Sequence, residues 1–439
     1  MGPSPRYSSG WADPPRNPRV IRVLHTGDWH IGQTLRGYAR QREHALAFAH
    51  LEQIVVEREV DALVVAGDVF DSQNPSGESQ RLFYEVLMRL RRARPAMTIV
   101  ITAGNHDAAG RLEAPRPLLD AIGVHVVGNV RRRDGAVDLG HHLVPLRRGG
   151  EIAAQVLAVS YPTAACLPPL QRVTEGGGSP IVGAVRTLYE HLFAAAEPRL
   201  SGLPLMVTGH LHVAGGLESE GAERRILVGG DHAVPADVFP EAAHYVALGH
   251  LHKAQRVGRD TVRYSGSLIP LSAAEQPYAH AVTLVTLDGG PARIELIPIP
   301  RPLPFLRLPA SGDMRLGELG DHLTRLVRDL GLSADPPLDE RPFVQIRLAR
   351  EGLGAGYRAE IDRIADGFPV RVVDVRVAPL PEGLETQATA GPNLVRLAER
   401  DPEDLFRIAF ARSRGEPPGP EHLAVFHRAR AEAEGGAAG

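Results

Sequence analysis

The chain has 439 residues, 43% of them hydrophobic and 23% charged, with a formal net charge of -3. This is soluble globular composition, too long for one hydrophobic core, so two or three domains are expected. No apolar stretch reaches the ~18 residues a membrane helix needs and no apolar secretion signal opens the chain, so a cytoplasmic address and no membrane partner are expected; the lone Cys166 excludes an intrachain disulfide and cysteine-rich zinc modules, and the slightly acidic balance gives no electrostatic hint of nucleic acid.

In chain order, residues 1–18 (MGPSPRYSSGWADPPRNP) are rich in Pro, Ser and Gly and read as a disordered leader. From Val20 to about Ile299, short aliphatic runs alternate with helix-like segments. Residues 41–59, for example, place Ala45, Phe48, Leu51 and Val55 on one side at helical spacing. Strands alternating with helices predict an α/β layered core, assigned to residues 19–300. The stretch IPIPRPLPFLRLP closes it as a linker or an edge strand. Residues 301–380 then read as a small α+β unit: a strand, a helix over 316–330, a strand over 343–348, a helix over 357–364 and a strand over 370–377. A low-complexity linker (381–398) leads to a helical segment, 399–435. There Asp401 caps a helix with Pro402 at its first position, and GEPPGP separates a second helix. Two helices this short must pack on another surface.

Five apolar runs end in polar tips of one narrow chemical type. IRVLHT leads into Gly27-Asp28-Trp29-His30, DALVVA into Gly67-Asp68-Val69-Phe70-Asp71, and TIVITA into Gly104-Asn105-His106-Asp107. LPLMVT and YVAL lead into two copies of GHLH, residues 209–212 and 249–252. Each tip has a glycine between the strand and its first candidate ligand, where the backbone is expected to turn sharply. Open α/β sheets bind ligands beyond the carboxyl ends of their strands, so the tips can meet in one crevice. Carboxylates, imidazoles and an amide without a thiolate suit a pair of divalent cations, Mn, Fe or Zn rather than Mg or Ca. An aspartate can bridge two ions ~3.5 to 4 Å apart, and Asp68 is the expected bridge.

Any one tip alone would read as a structural residue. Five together are hard to assign to packing, because each buried Asp, Asn or His without a partner costs ~1–3 kcal/mol. His106 lies one residue past Asn105, on the other side of an extended tip, where it can face a phosphate. Asp107 is expected to accept from its other ring nitrogen.

The ordered set DxH, GD, GNHD, GH, GHxH resembles the calcineurin-like metallophosphoesterase superfamily. The longer strings HTGDWHIGQ, AGDVFDSQNP, TAGNHD, ALGHLHKAQ and YSGSLIPLS are similar to the bacterial SbcD-type nucleases, counterparts of the eukaryotic Mre-type double-strand-break nucleases. The motif match runs from Arg19 to about Glu275, and the C-terminal third matches only in layout. The resemblance implies a four-layer α/β/β/α sandwich with a small α+β capping domain and C-terminal helices. It implies two divalent ions, Mn2+ being expected, one held by Asp28, His30, Asp68 and His252, the other by Asp68, Asn105, His210 and His250. Of the GHLH histidines His212 is then left over, as a rim residue. His106 stabilises or protonates the leaving oxygen.

The implied activity is 3'-5' exonuclease on double-stranded DNA and endonuclease on single-stranded or hairpin DNA, in a nucleoid-associated cytoplasmic setting. The implied partners are DNA ends and hairpins, a second copy of the chain, and an SbcC-type ATPase. The ATPase's coiled-coil base would receive the apolar faces around Leu405, Ile408, Phe410, Leu423 and Phe426. Asp71 stands where some relatives carry histidine, and its role is open. Lys253 reads as a surface lysine, His25 as a hydrogen-bonded core residue, and His141 and His142 are given no role. A free-standing phosphatase or phosphodiesterase acting on nucleotides or phosphoproteins explains the tips equally well, but not the chain beyond residue 300. A binding module with a dead site is disfavoured, since every expected ligand type is present.

Overall fold

The computed structural model describes residues 20–133, 136–163, 165–168, 179–219, 233–354 and 356–379, together with single positions in the C-terminal helices. The chain forms two compact units, Met1–Ala378 and Pro379–Gly439. The expected leader (1–18) and linker (381–398) lie outside the described residues, as do Asp401, Pro402, Leu405 and Ile408.

In the first unit two six-stranded sheets face one another. The first has the order Arg293–Pro298, Ala281–Leu287, Ile21–Thr26, Ala62–Ala66, Thr98–Thr102, Val124–Val127. The second has the order Gln255–Val257, Arg259–Tyr264, Tyr245–Gly249, Leu205–His210, Glu151–Leu157, Leu143–Arg148. Runs such as ALVVA (62–66) and TIVIT (98–102) are buried at every position, as parallel strands covered on both faces must be.

Side-chain alternation divides these strands between two cores. Val23, Val64 and Val100 turn inward to meet Val156, Met206 and Ala247 of the second sheet. Leu24, Val65 and Ile101 turn outward onto Phe48 and Leu51 of helix Gln41–Glu57 and Leu87 and Leu90 of helix Gly77–Ala93. On the far side Leu157, Val207 and Leu248 pack on Val185, Leu188 and Leu192 of helix Pro180–Ala196. Three cores between four layers make the α/β/β/α sandwich. Each such aliphatic side chain contributes about 1.5–3 kcal/mol by its burial.

The proline-rich boundary takes the edge-strand form. Arg293–Pro298 pairs only with Ala281–Leu287, and Pro298 sits at its end, where a missing N–H costs nothing. Beyond it, helices Leu319–Asp329 and Tyr357–Ala365 alternate with strands Phe305–Leu308, Phe343–Leu348 and Arg371–Val377. Both pairings in this three-stranded sheet are parallel, so the unit is a βαβαβ wind rather than the expected mixed α+β arrangement. It seats on the sandwich through Phe305, Phe343 and Val373 against Leu35, and through Arg42 with Glu340 at 2.8 Å.

In the second unit the described helical positions bring Phe406 onto Phe426 (ring centroids 4.7 Å apart) and Phe410 onto His422 (4.5 Å). Two of the apolar residues expected to meet a partner, Phe410 and Phe426, thus make contacts within the unit. Among the described residues no helix is long and apolar enough to cross a membrane.

Candidate metal centre

Three neighbouring strands of the first sheet, Ile21–Thr26, Ala62–Ala66 and Thr98–Thr102, run parallel, as do Leu205–His210 and Tyr245–Gly249 in the second. All five carboxyl ends open on one crevice between the sheets, and their tips are tied to each other by backbone. Asp28 N–H donates to the Gly67 carbonyl and His30 N–H to the Asp68 carbonyl, each at 3.0 Å. His250 N–H donates to Asp28 Oδ1 at 2.8 Å, and His106 N–H to Asp68 Oδ1 at 2.8 Å. Trp29 anchors the first tip from behind, its indole N–H donating to Thr26 Oγ1 and its ring edge-on to Phe48.

The glycines work differently from the sequence expectation. The left-handed backbone is taken by the ligand candidates themselves, Asp28 (φ 51°), His30 (45°), Asp68 (48°) and His250 (105°), and among the five tip glycines only by Gly67 (83°). Such non-glycine conformations cost about 1–3 kcal/mol each and persist where the surroundings over-determine them. Gly249 and Gly104 are required for space: a Cβ would lie 1.7 Å from the Ala66 carbonyl oxygen at the first and 2.1 Å from Asp68 Oδ1 at the second.

Two groups of ligand atoms result, Asp28 with His30 and His252, and Asp68 with His210 and His250. Asp68 Oδ2 lies between them, 3.5 Å from His30 Nε2 and 3.2 Å from His210 Nε2. Asn105 Oδ1 is 3.0 Å from the same His210 nitrogen, whose Nδ1 faces the Ala66 carbonyl at 2.9 Å. With its proton held on Nδ1, His210 presents a lone pair to two oxygens, and three acceptors converging in a buried place require a cation or a proton among them. Asp28 Oδ2 and His30 Nε2 are buried without a hydrogen bond, which is the condition of ligand atoms and a poor one for structural groups.

The electrostatics agree. Burial pushes the Asp28 carboxyl up to about 6 against the pull of His210 and His252. At Asp68 burial is outweighed by His210, His30 and His106, and its carboxyl is held well below the usual range. His210 is raised to about 9: burial opposes, but the Asp68 carboxylate dominates. A proton on His210 there does the work of a divalent cation. The donor set fits two such ions: imidazoles, carboxylates and one amide around a shared carboxylate.

His106 lies 7% exposed beside this cluster, its ring 4.7 Å from that of His30. Its expected partner is corrected by the structure. The Asp107 carboxylate accepts from the N–H groups of Val69 (3.1 Å), Phe70 (2.9 Å) and Gly104 (2.9 Å), so it clamps the second tip to the third. His106 Nδ1 is met by the Asp71 carbonyl oxygen at 2.9 Å instead. Asp71 also reaches His30 Nδ1 with Oδ1 at 3.3 Å, which gives the open position a place beside two site histidines.

His212 stays on the rim, its side chain 23% exposed and paired with Glu218 at 3.1 Å. His25 bridges the sheets inside the core, to the Tyr245 hydroxyl (3.0 Å) and the Leu248 carbonyl (3.2 Å), and burial lowers it to about 3. His141 pairs with Glu113 (3.0 Å) and His142 with the Ala158 carbonyl (2.9 Å), away from the cluster. The Lys253 ammonium lies over the Tyr278 ring.

Two site neighbours escaped sequence reasoning. Glu275 accepts from His252 Nδ1 at 2.9 Å, and Tyr161 stands edge-on to His210, its hydroxyl raised to about 12 by burial and the Asp68 charge. Tyr161 follows a sixth strand end, Glu151–Leu157, and only that position could have flagged it.

Comparison with known proteins decides the family. Residues 21–254 match the calcineurin-like phosphoesterase model. The chain belongs to the calcineurin-like phosphoesterases. Residues 301–414 match a second model, described as the type 5 capsule protein repressor C-terminal domain. Within this phosphoesterase family the chain is 47% identical over 392 residues to the SbcD subunit of the nuclease SbcCD from Rhodobacter capsulatus, covering 89% of this chain and 94% of that one. The SbcD subunits from Bacillus subtilis and Escherichia coli K12 are 38% and 30% identical, over 62% and 81% of this chain and 67% and 85% of theirs. The phosphoesterase assignment makes the cluster a divalent-metal centre and the chain a metal-dependent phosphodiesterase of the nuclease type.

Proposed function

We propose that this chain is the nuclease subunit of an SbcCD-type complex, hydrolysing DNA phosphodiesters at the cluster around Asp68. The observation that carries the reading is the position of Asp68 Oδ2 between His30 and His210, which joins two ligand groups through one carboxylate. Asp28, His30, Asp68 and His252 hold one ion; Asp68, Asn105, His210 and His250 hold the other. When bound, the ions, Mn2+ in this reading, activate water and neutralise the phosphoryl oxygens. The chain's own contribution is orientation and proton control. His106 is held by the Asp71 carbonyl with its proton on Nδ1, so its other edge meets the substrate and stabilises or protonates the leaving oxygen. Asp107 sets the spacing of Asp68 and Asn105 by clamping their tips, a structural part in catalysis rather than a proton relay.

The remaining attributes rest on the relatives, named as subunits of SbcCD. They are 3'-5' digestion of duplex ends, cleavage of hairpins and single strands, an SbcC-type ATPase as partner through residues 399–435, a homodimer, and action at the nucleoid. Residues 301–380 form the cap that guides DNA to the crevice. The test is metal analysis of the purified chain coupled to nuclease assays on linear duplex and hairpin DNA, with and without the ATPase. Two ions per chain and manganese-dependent cleavage that the ATPase stimulates are expected. A metal-loaded chain that cleaves nucleotides but no DNA overturns the assignment.

A further inference from the structure

Glu275 closes a short turn, Ala273–Glu275, and is completely buried. A carboxylate taken wholly out of water needs donors to hold it, and this one has three: His252 Nδ1 at 2.9 Å to Oε1, the Leu271 N–H at 2.7 Å to Oε2, and the Ser272 hydroxyl at 3.5 Å. The loop that carries it is braced. Gln33 donates to the Leu271 carbonyl (2.8 Å), and Arg40 donates to Gln33 (2.9 Å) and to the Pro270 carbonyl. Glu275 therefore cannot turn away from His252 without breaking a chain of buried contacts.

The three histidines whose Nδ1 contacts are defined in this centre are supported unequally. On one side of Asp68, His252 Nδ1 faces the Glu275 carboxylate and His30 Nδ1 the Asp71 carboxylate (3.3 Å). On the other, His210 Nδ1 faces a neutral carbonyl, that of Ala66 (2.9 Å). An anion behind an imidazole pins the proton on the far nitrogen and makes the near one a stronger donor to a cation than a carbonyl does. Resting on the reading of His252 as a ligand, we infer that Glu275 is a positioning residue that fixes the tautomer and direction of His252. It thereby makes the Asp28–His30–His252 position the tighter of the two cation positions.

Glu275→Gln tests this with little change of shape. Its amide NH2 must face either the Leu271 N–H or His252 Nδ1, and in the second case it selects the imidazole tautomer protonated on Nε2, which cannot bind a cation. Manganese titration of the metal-free chain, followed by calorimetry, should show two events in the parent. In Glu275→Gln the tighter event weakens about 10–100-fold while the weaker one is unchanged. Unaltered affinities, or an equal loss at both positions, overturn the inference. A parent that takes up no manganese sinks the metal-site reading itself, and a parent that takes up two while the variant behaves identically sinks only this inference. Should Glu275→Gln not fold, nitrogen NMR of the histidine-labelled parent decides. The His252 signal, assigned by its loss in His252→Asn, must show the proton on Nδ1; a proton on Nε2 overturns the role of Glu275.

Discussion

The two copies of GHLH have the same four residues after an apolar run, yet the structure uses them differently. In the first copy the strand Leu205–His210 continues through Gly209 and His210, so His210 enters the crevice in the regular alternation of the strand. The chain then runs on to a bridge between Val213 and Val234, leaving His212 on the rim. In the second the strand stops at Gly249, and His250 takes φ 105°, a bend that brings both His250 and His252 inside, 4% and 3% exposed. What distinguishes the copies is what lies across from the glycine. Gly249 is pressed against the backbone of Ala66 on the facing sheet, whereas Gly209 faces the side chains of Tyr189, Leu248 and Phe239. A tetrapeptide encodes ligand chemistry; the neighbouring sheet decides which of its rings is a ligand.

The broadest way to break this comparison is to remove the residue both copies face. Asp68→Ala takes away the only carboxylate shared by the two groups and leaves His30 and His210 without their counter-charge. Loss of both ions by elemental analysis, and of hydrolysis with them, is expected; two retained ions would show that the copies serve separate sites. Next comes His252→Ala, which should remove one ion and spare the one beside His210. Retention of two ions there would make the second copy equivalent to the first. Third is His106→Ala, which touches neither copy. It should keep both ions and the fold but lower kcat about 10²–10⁴-fold, the usual worth of a positioned acid or base. Near-normal turnover on DNA with manganese would remove His106 from the chemistry.

Much of this is legible in the sequence. The five strand tips, the residue types at them and the spare histidine follow from strand alternation and donor chemistry, both local properties. The small domain is equally readable, since its helices and strands begin and end at periodicity changes and at glycine or proline. Its parallel pairing is not, because strand direction depends on which edges meet. Three site details are hidden for the same reason. Asp107 looks like a partner for the adjacent His106 until the loop at Val69 and Phe70 brings its N–H groups within 3.1 Å and 2.9 Å of that carboxylate. Asp71 supplies a main-chain oxygen, which every residue carries. Glu275 is an ordinary acidic residue in sequence, and only the fold carries it to His252.

The comparison sharpens with the glycines. In Gly249→Ala the new methyl meets a main-chain oxygen at 1.7 Å, and neither strand can yield without moving Asp28, which accepts from His250 N–H. A destabilisation at or above the upper end of the ~1–3 kcal/mol typical of overpacking is expected, with ion uptake impaired. In Gly209→Ala the nearest atoms are the Tyr189 hydroxyl at 2.7 Å and Leu248 Cδ2 at 3.1 Å, ends of side chains that can shift, so the cost should fall at the lower end. Urea midpoints of the two variants check the order, and a reversal would mean that the sheets do not meet at Gly249.

The smallest effect is expected at the histidine that one copy spends on the rim. His212 makes an ion pair with Glu218 at 3.1 Å, both side chains in contact with water, and exposed pairs of this kind contribute ~0–1 kcal/mol. Its ring is 6.5 Å from that of His250, too far to share a ligand. His212→Ala should therefore bind two ions with parental affinity, melt within a degree or two of the parent by the usual ratio of stability to melting temperature, and hydrolyse DNA at the parental rate. A drop in ion stoichiometry in this variant would show that the first copy, like the second, turns both of its histidines to the metal. The bend at His250 could then no longer be what separates them.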